Sequence, residues 1–360
     1  EGLYVNRLRD VDPGTSQDVY FLDLASKEFF ANEQTRVVKK YEGNIGDNVE
    51  KILKDVLKVT TDIEIDNTAV PYNFLGNDRK PFYVCTWLAS KSIPEVTTED
   101  GKSGKGGASG YLFFQTRDGY HFKSIDKIFT GEPKKKYIFN NSTQLPEGYD
   151  AKVLTYDINS DIDVGKNLVM GMYNNRSIFF NPLSFNYEVR SFPDTPKTPP
   201  QITTEPVPSE DEYLEKTQNA AEEPVAKLIP DEFRQSPTRF MSFVLDTGVM
   251  PSGITSQEQL NTWSSEKAKD NFDVKETASQ SIMRYNQLFT VKTEITIPGD
   301  FTIKAGDIIQ CDFPDLSGSE VKDVNPETKG IYMVASVCHR ITPTSSNTSL
   351  SLVRDSFGGK

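Results

Sequence analysis

The sequence predicts a multi-domain, mainly β protein with an inserted α/β domain, and three observations carry that prediction. Roughly the last seventy residues alternate apolar and polar side chains in short runs broken by turn residues, the period of half-buried strands. Residues 43–130 hold two helical patterns and one strong hairpin signal. Between these blocks lies a proline-rich stretch that suits neither a helix nor a sheet interior. With 360 residues the chain can bury more than one core.

Taken in order, Val19, Tyr20, Phe21, Leu22 and Leu24 read as a strand after a turn at Asp12-Pro13-Gly14, and residues 35–41 as a second extended run. Val49, Ile52, Leu53, Val56 and Leu57 then fall on one helical face, with Asp47 as N-cap and Glu50 three residues on. Pro81, favourable in a first turn, opens a second helix through Phe82, Val84, Cys85, Trp87 and Leu88 to about residue 91. Residues 97–110 form a glycine-rich loop. A phosphate-binding loop ending at Gly101-Lys102-Ser103 needs glycine where Val96 stands, and no helix pattern follows, so a surface loop is expected. Tyr111 to Thr116 and Tyr120 to Lys123 flank Asp118-Gly119 as a hairpin, and residues 124–129 close this α/β unit.

Residues 152–192 return to strand patterning, including 176–182 and 185–190. Pro193, Pro196, Pro199, Pro200, Pro206 and Pro208 then mark residues 191–223 as an extended linker or an arm on a partner. A helix over 268–288, with Ile282, Tyr285 and Leu288 on one face, leads into the final block. Five strands are expected there, at 290–297, 301–304, 308–313, 330–341 and 348–354.

Composition narrows the function. A net charge of −12 disfavours a surface that grips phosphates, so no specific nucleic-acid binding is expected. Cys85, Cys311 and Cys338 lack C-x-x-C spacing, which indicates neither a disulfide framework nor a zinc site and suits a reducing compartment. No run reaches the length of a membrane-spanning helix and the charged start is unlike a signal peptide. The first residue is not Met, so residues before Glu1 are expected to be absent.

No catalytic, cofactor-binding or metal-ligating residue is selected by the sequence, and no cofactor is expected. The two histidines, His121 and His339, sit in separate strands, and no G-x-S-x-G or H-E-x-x-H occurs. Carboxylates such as Asp161, Asp163 and those of 205–212 read as solvated faces, and nothing selects the facing pair a cell-wall hydrolase needs. Lys134-Lys135-Lys136 reads as a solvated turn, while Phe82-Tyr83 and Phe179-Phe180 read as core or interface.

In their order and spacing these pieces resemble the central baseplate hub protein of T4-type contractile-tailed phages. The resemblance rests on the 46–57 and 81–91 helices, the Tyr111-Leu112-Phe113-Phe114-Gln115-Thr116-Arg117-Asp118-Gly119-Tyr120 hairpin, Asn181-Pro182, and the run from the last helix into Gly299-Asp300-Phe301-Thr302-Ile303-Lys304-Ala305-Gly306-Asp307. It implies tail-tube-like antiparallel β-barrel domains, two per chain, and a homotrimer forming a pseudo-sixfold ring in the virion tail baseplate, assembled in the host cytoplasm. Its implied partners are a tail tube protein above, a trimeric spike or needle protein below and baseplate wedge proteins around, with a channel for DNA. Mapped onto this chain, residues 1–42 are a remnant of the first barrel and 43–130 the α/β domain. Residues 131–192 give strands of the second barrel, 193–267 a proline-rich linker or insert, and 268–360 the helix and remaining strands of that barrel. A non-binding channel wall is expected to present Asp300, Asp307, Asp312 or Asp315 rather than Lys292, Lys304, Arg340 and Arg354. The alternatives are a ring-forming tube or adaptor protein of another contractile injection machine and, last, a cell-wall hydrolase.

Overall fold

The computed structural model describes residues 2–13, 18–69, 71–97, 103–105, 108–140, 144–159, 163–181, 186–192, 231–234, 237–244, 277–314, 325 and 328–356. Its elements are mainly strands, with an α/β unit set between the N-terminal ribbon and the largest sheet.

Strands β1 (Leu3–Pro13) and β2 (Asp18–Ser26) pair antiparallel as a two-stranded ribbon. Ser26 then N-caps helix α1 (Lys27–Gln34), its hydroxyl accepting the Phe29 N–H. The strand pattern before it carries no sign of this helix. Of the extended run expected at 35–41, only β3 (Lys40–Tyr41) is strand, paired with β5 (Phe74–Leu75).

The α/β unit follows the sequence pattern more closely. Helix α2 (Ile45–Lys51) continues as a π-helical turn over Ile52–Val56, and its apolar stripe is buried. Its N-cap is Asn44, not Asp47. Helix α3 (Pro81–Ala89) begins on its proline and packs Val84, Cys85 and Leu88 into the same core. Strand β4 (Asp62–Ile65) runs parallel to β9 (Gly119–Ser124), and β9 pairs antiparallel with β8 (Tyr111–Gln115) through the Asp118-Gly119 turn. A β-carbon at Gly119 would stand 1.9 Å from the Asp62 carbonyl oxygen, so only glycine admits β4 there. In the glycine-rich stretch, β6 (Glu95–Thr97) pairs with β7 (Ser103–Lys105). Helix α4 (Ile125–Phe129) closes the unit.

The largest sheet has seven strands in the order β11 (Ala151–Lys152), β10 (Lys135–Ile138), β17 (Ile308–Asp312), β18 (Gly330–Ile341), β19 (Ser346–Arg354), β16 (Val291–Pro298) and β12 (Thr155–Asn159). It curls, and one segment joins its two ends. Residues 151–152 run beside β10 while 155–159 run beside β16. Between them the Val153 N–H donates to the Ile138 carbonyl at 2.9 Å and the Leu154 N–H to the Thr296 carbonyl at 2.7 Å. Tyr137, Ile295, Ile309, Phe313, Tyr332 and Leu352, among others, fill the interior. The β16 burial alternates residue by residue, as the period of its sequence requires.

Three expectations change. Residues 301–304 are a turn, because the Asp300 carboxylate accepts both the Thr302 N–H (2.9 Å) and its hydroxyl (2.6 Å) and curls the chain there. The strands expected in the barrel at 176–190 stand outside it. β13 (Asn175–Asn181) pairs with β14 (Asn186–Phe192) and with β15 (Arg239–Val244) as a separate three-stranded sheet. β15 falls inside the stretch expected to be linker, and its alternation of Phe240, Ser242 and Val244 outward with Met241 and Phe243 inward explains it. Residues 193–230 and 245–276, which hold most of the proline-rich segment and the first part of the expected 268–288 helix, lie outside the described residues. That helix is seen over Ala278–Leu288.

Candidate functional site

The Ala278–Leu288 helix joins the α/β unit to the barrel. Leu288 packs with Ile125, Ile128 and Phe129 of the one and Ile308, Met333 and Val353 of the other. Arg284, 1% exposed, donates to Asp126 at 2.8 Å and to Asp355 at 3.1 Å. Asp126 also accepts the Ala108 N–H at 2.7 Å. Burial pushes the Asp126 carboxyl above the usual carboxylate range despite the pull of Arg284. Burial works against the charged Arg284, but the two aspartates overcome it and hold its guanidinium more firmly protonated. Burying charge is tolerable only when it is paired this way, so the arrangement reads as a clasp. The sequence shows these three residues at positions 126, 284 and 355, with no local signal linking them.

A second constellation escaped the sequence argument. Thr116 Oγ1 lies 2.9 Å from His121 Nε2, and Glu64 Oε2 lies 3.0 Å from His121 Nδ1. That is the order of a nucleophile–base–orienter relay. Here it serves the turn. The Thr116 hydroxyl accepts the Asp118 N–H at 3.3 Å, and Phe114 stacks on the imidazole with ring centres 5.0 Å apart. Burial holds the His121 imidazole below its ordinary value, against the opposing pull of Glu64. Glu64 is lowered, because Lys123 and His121 outweigh its burial. Two open clefts of about 400 and 430 Å³ are lined by other residues, around Asp47, Glu50 and Glu95 and around Lys39, Lys40 and Lys51. His339 lies elsewhere, 2.9 Å from the Thr348 hydroxyl and beside the Phe301 ring.

The carboxylates expected at a channel wall are engaged within the chain. Asp300 holds its own turn; burial raises its carboxyl, but the Thr302 and Tyr137 bonds prevail and leave it lowered. Asp307 accepts Lys134 Nζ at 2.7 Å and the Lys304 N–H at 2.8 Å. Asp312 is buried and accepts the Tyr149 hydroxyl, whose pKa is pushed up to about 12 by burial and by that bond. Asp315 lies outside the described residues. Of the contrasting basic set, Lys304 pairs with Asp118, Lys292 lies over the Phe289 ring, and Arg354 is buried over Tyr332, while Arg340 is exposed. Lys135 and Lys136 open β10, and Lys134 just before it pairs with Asp307, so the three do not form a free turn. Asp163 caps the helix Val164–Val169 by accepting the Lys166 N–H; Asp161 and 205–212 lie outside the described residues. Cys85 and Cys311 are buried, with their thiols pushed up by burial, and Cys338 is exposed. Phe82 and Phe179 pack in the core and Tyr83 is exposed.

The surface carries the clearest functional signal. On the β1–β2 ribbon ten large apolar side chains are 46–58% exposed. Soluble monomers rarely display contiguous apolar area of this kind, and it marks sites of assembly. The β13–β14–β15 sheet adds a second such face, with Tyr187, Val189, Phe240 and Val244 exposed. Among the described residues no helix is long and apolar enough to cross a membrane.

No protein-family model matches the chain, and no curated protein matches it. Among solved structures it is similar to a tail protein from Neisseria meningitidis at 10% identity, covering 98% of this chain and 79% of that one, with a TM-score of 0.46. It is likewise similar to the 43 kDa tail protein of prophage MuSo2 from Shewanella oneidensis at 9% identity, covering 97% and 78%, with a TM-score of 0.45. A chain of the phage P2 baseplate in its activated conformation with Ca aligns at 9% identity over 98% and 80%, with a TM-score of 0.23.

Proposed function

We propose that this chain is a structural subunit of a contractile phage tail baseplate, acting as its central hub. Three copies form a pseudo-sixfold ring in the virion, with the tail tube above, the trimeric spike below, wedge proteins around it and a passage for DNA through it. The observation that carries this reading is the uncovered apolar surface of the β1–β2 ribbon, which a chain working alone would have to shield. The barrel supports it too. Its strands come from two stretches, 135–159 and 291–354, separated by an insertion, as the resemblance to hub proteins implies.

Native mass spectrometry of the purified chain at micromolar concentration tests the reading. Three copies are expected. A hexamer would transfer the assignment to a stacking tube protein, and a persistent monomer would overturn the hub reading.

A further inference from the structure

A ring of three chains needs two different surfaces per chain, one to give and one to receive, because a self-complementary patch closes pairs. The structure supplies two apolar faces of matching kind. The β1–β2 register sets Leu8 opposite Leu22 and Val5 opposite Leu24, so that Leu3, Val5, Leu8, Tyr20, Leu22 and Leu24 share one face, with Asp18 at its end. An isolated two-stranded ribbon is marginal in water and gains stability when such a face is covered. Its root is anchored, since Asn32 of α1 accepts the Phe82 N–H at 2.8 Å and Glu33 pairs with Lys80 of the α3 N-cap.

The second face belongs to the three-stranded sheet. Its inner side is spoken for: Phe179 stacks on Phe243 with ring centres 5.2 Å apart, and the Ser177 and Ser279 hydroxyls lie 2.9 Å apart. Its outer side presents Tyr187 and Val189 of β14 and Phe240 and Val244 of β15, at 46–72% exposure. The Arg176 guanidinium lies over the Phe240 ring on the same side. Charge separates the two surfaces. On β2 alternation sets Asp18 on the face of Tyr20, Leu22 and Leu24, whereas the sheet's outer face carries Arg176, with Arg190, Arg239 and Glu188 on its inner side. Ribbon against ribbon would set acid against acid; ribbon against sheet pairs opposite signs.

We propose that the apolar face of the β1–β2 ribbon of one chain packs on the outer face of the β13–β14–β15 sheet of the next copy, head to tail. The two sheets lie face to face about 10 Å apart, as in a β-sandwich, across the subunit boundary. The proposal rests on the homotrimer reading and fails separately from it.

The test uses the full chain with the exposed Cys338 replaced, in a Cys338→Ser background carrying Leu22→Cys and Tyr187→Cys together or singly. Mild oxidation of the double variant is expected to give covalent trimers, and neither single variant to cross-link. Leu22→Asp and Phe240→Asp each place a charge in the contact and should weaken association more than tenfold, with the far-ultraviolet circular dichroism unchanged. Cross-linking by Leu22→Cys alone, or only an internal bond in the double variant, would overturn the proposal. If both aspartate variants remain full trimers, the docking is wrong and the homotrimer stands. If the unmodified chain is monomeric, the homotrimer falls and the docking with it.

Discussion

The β1–β2 ribbon and the barrel strand β16 are both strands rich in apolar residues and meet opposite fates. In β16 every second side chain is buried: Val291, Thr293, Ile295 and Ile297 point into a packed interior. In β2 the first five residues are all exposed, although Val19, Tyr20, Phe21 and Leu22 are as apolar as anything in the barrel. The difference teaches what patterning encodes. An apolar strand specifies that a face must be covered; it does not specify whether the cover is the same chain or another. The barrel supplies its own cover by bringing 135–159 against 291–354, and the ribbon has none among the described residues.

The sharpest break in this comparison lies at the clasp that ties the barrel to the α/β unit. Arg284→Met removes the guanidinium that pairs with buried Asp126 and Asp355, and a stability loss of about 3–5 kcal/mol is expected. The loss has a pH signature. The folded-state pKa of Asp126 is already raised above its ordinary 3.8, so the folded form binds more protons and its contribution is lost as pH rises through the folded value. Without Arg284 that pKa climbs further, and the gap between variant and parent should narrow on acidification. A denaturant series at several pH values checks this. A gap that stays constant or widens toward low pH would show that the clasp is not electrostatic.

A second pair of variants sharpens the contrast directly. Leu352→Ala empties part of the barrel interior and is expected to cost about 2–5 kcal/mol. Leu22→Ala on the ribbon, measured on the dissociated chain, should stay within about 0.5 kcal/mol because its side chain is already 46% exposed. Equal costs at the two positions, in chemical denaturation of the dissociated chain, would mean that the ribbon is covered by its own chain in solution.

Much of the fold was legible because local signals and tertiary needs agreed. Pro81 at the start of α3, the Asp118-Gly119 turn and the β16 alternation each announce an element that the packing then uses. The misreadings have physical causes. Helix α1 follows a strand pattern without a break, and its two buried residues, Glu28 and Asn32, are polar, so no apolar stripe marks it. The 301–304 turn was hidden because Asp300 bends a stretch that alternates like a strand. The β13–β14 pair looked like barrel because sequence alone cannot choose between two sheets, and the choice depends on β15, far along the chain. The clasp was invisible for the same reason: its residues are joined by folding and have no motif.

The smallest expected effect concerns the Thr116–His121–Glu64 line. Glu64 is largely exposed, so the pair adds less than about 1 kcal/mol. Its value lies in a sign that can be read separately from stability. His121 is held below its ordinary 6.5 mainly by burial, while Glu64 pulls it upward. Both His121 and Glu64 have depressed folded-state values, so each favours the folded form above its ordinary pKa and gives that up as pH falls, from about 6.5 for the histidine and 4.5 for the glutamate. Glu64→Gln removes the upward pull, and His121 should titrate lower still. The chain has only two histidines, so NMR can follow them separately, with His339 as the internal control. A His121 pKa that rises in Glu64→Gln would mean that burial, and not the carboxylate, changes with the substitution. The hydroxyl–imidazole–carboxylate line would then be an accident of the turn instead of a coupled pair.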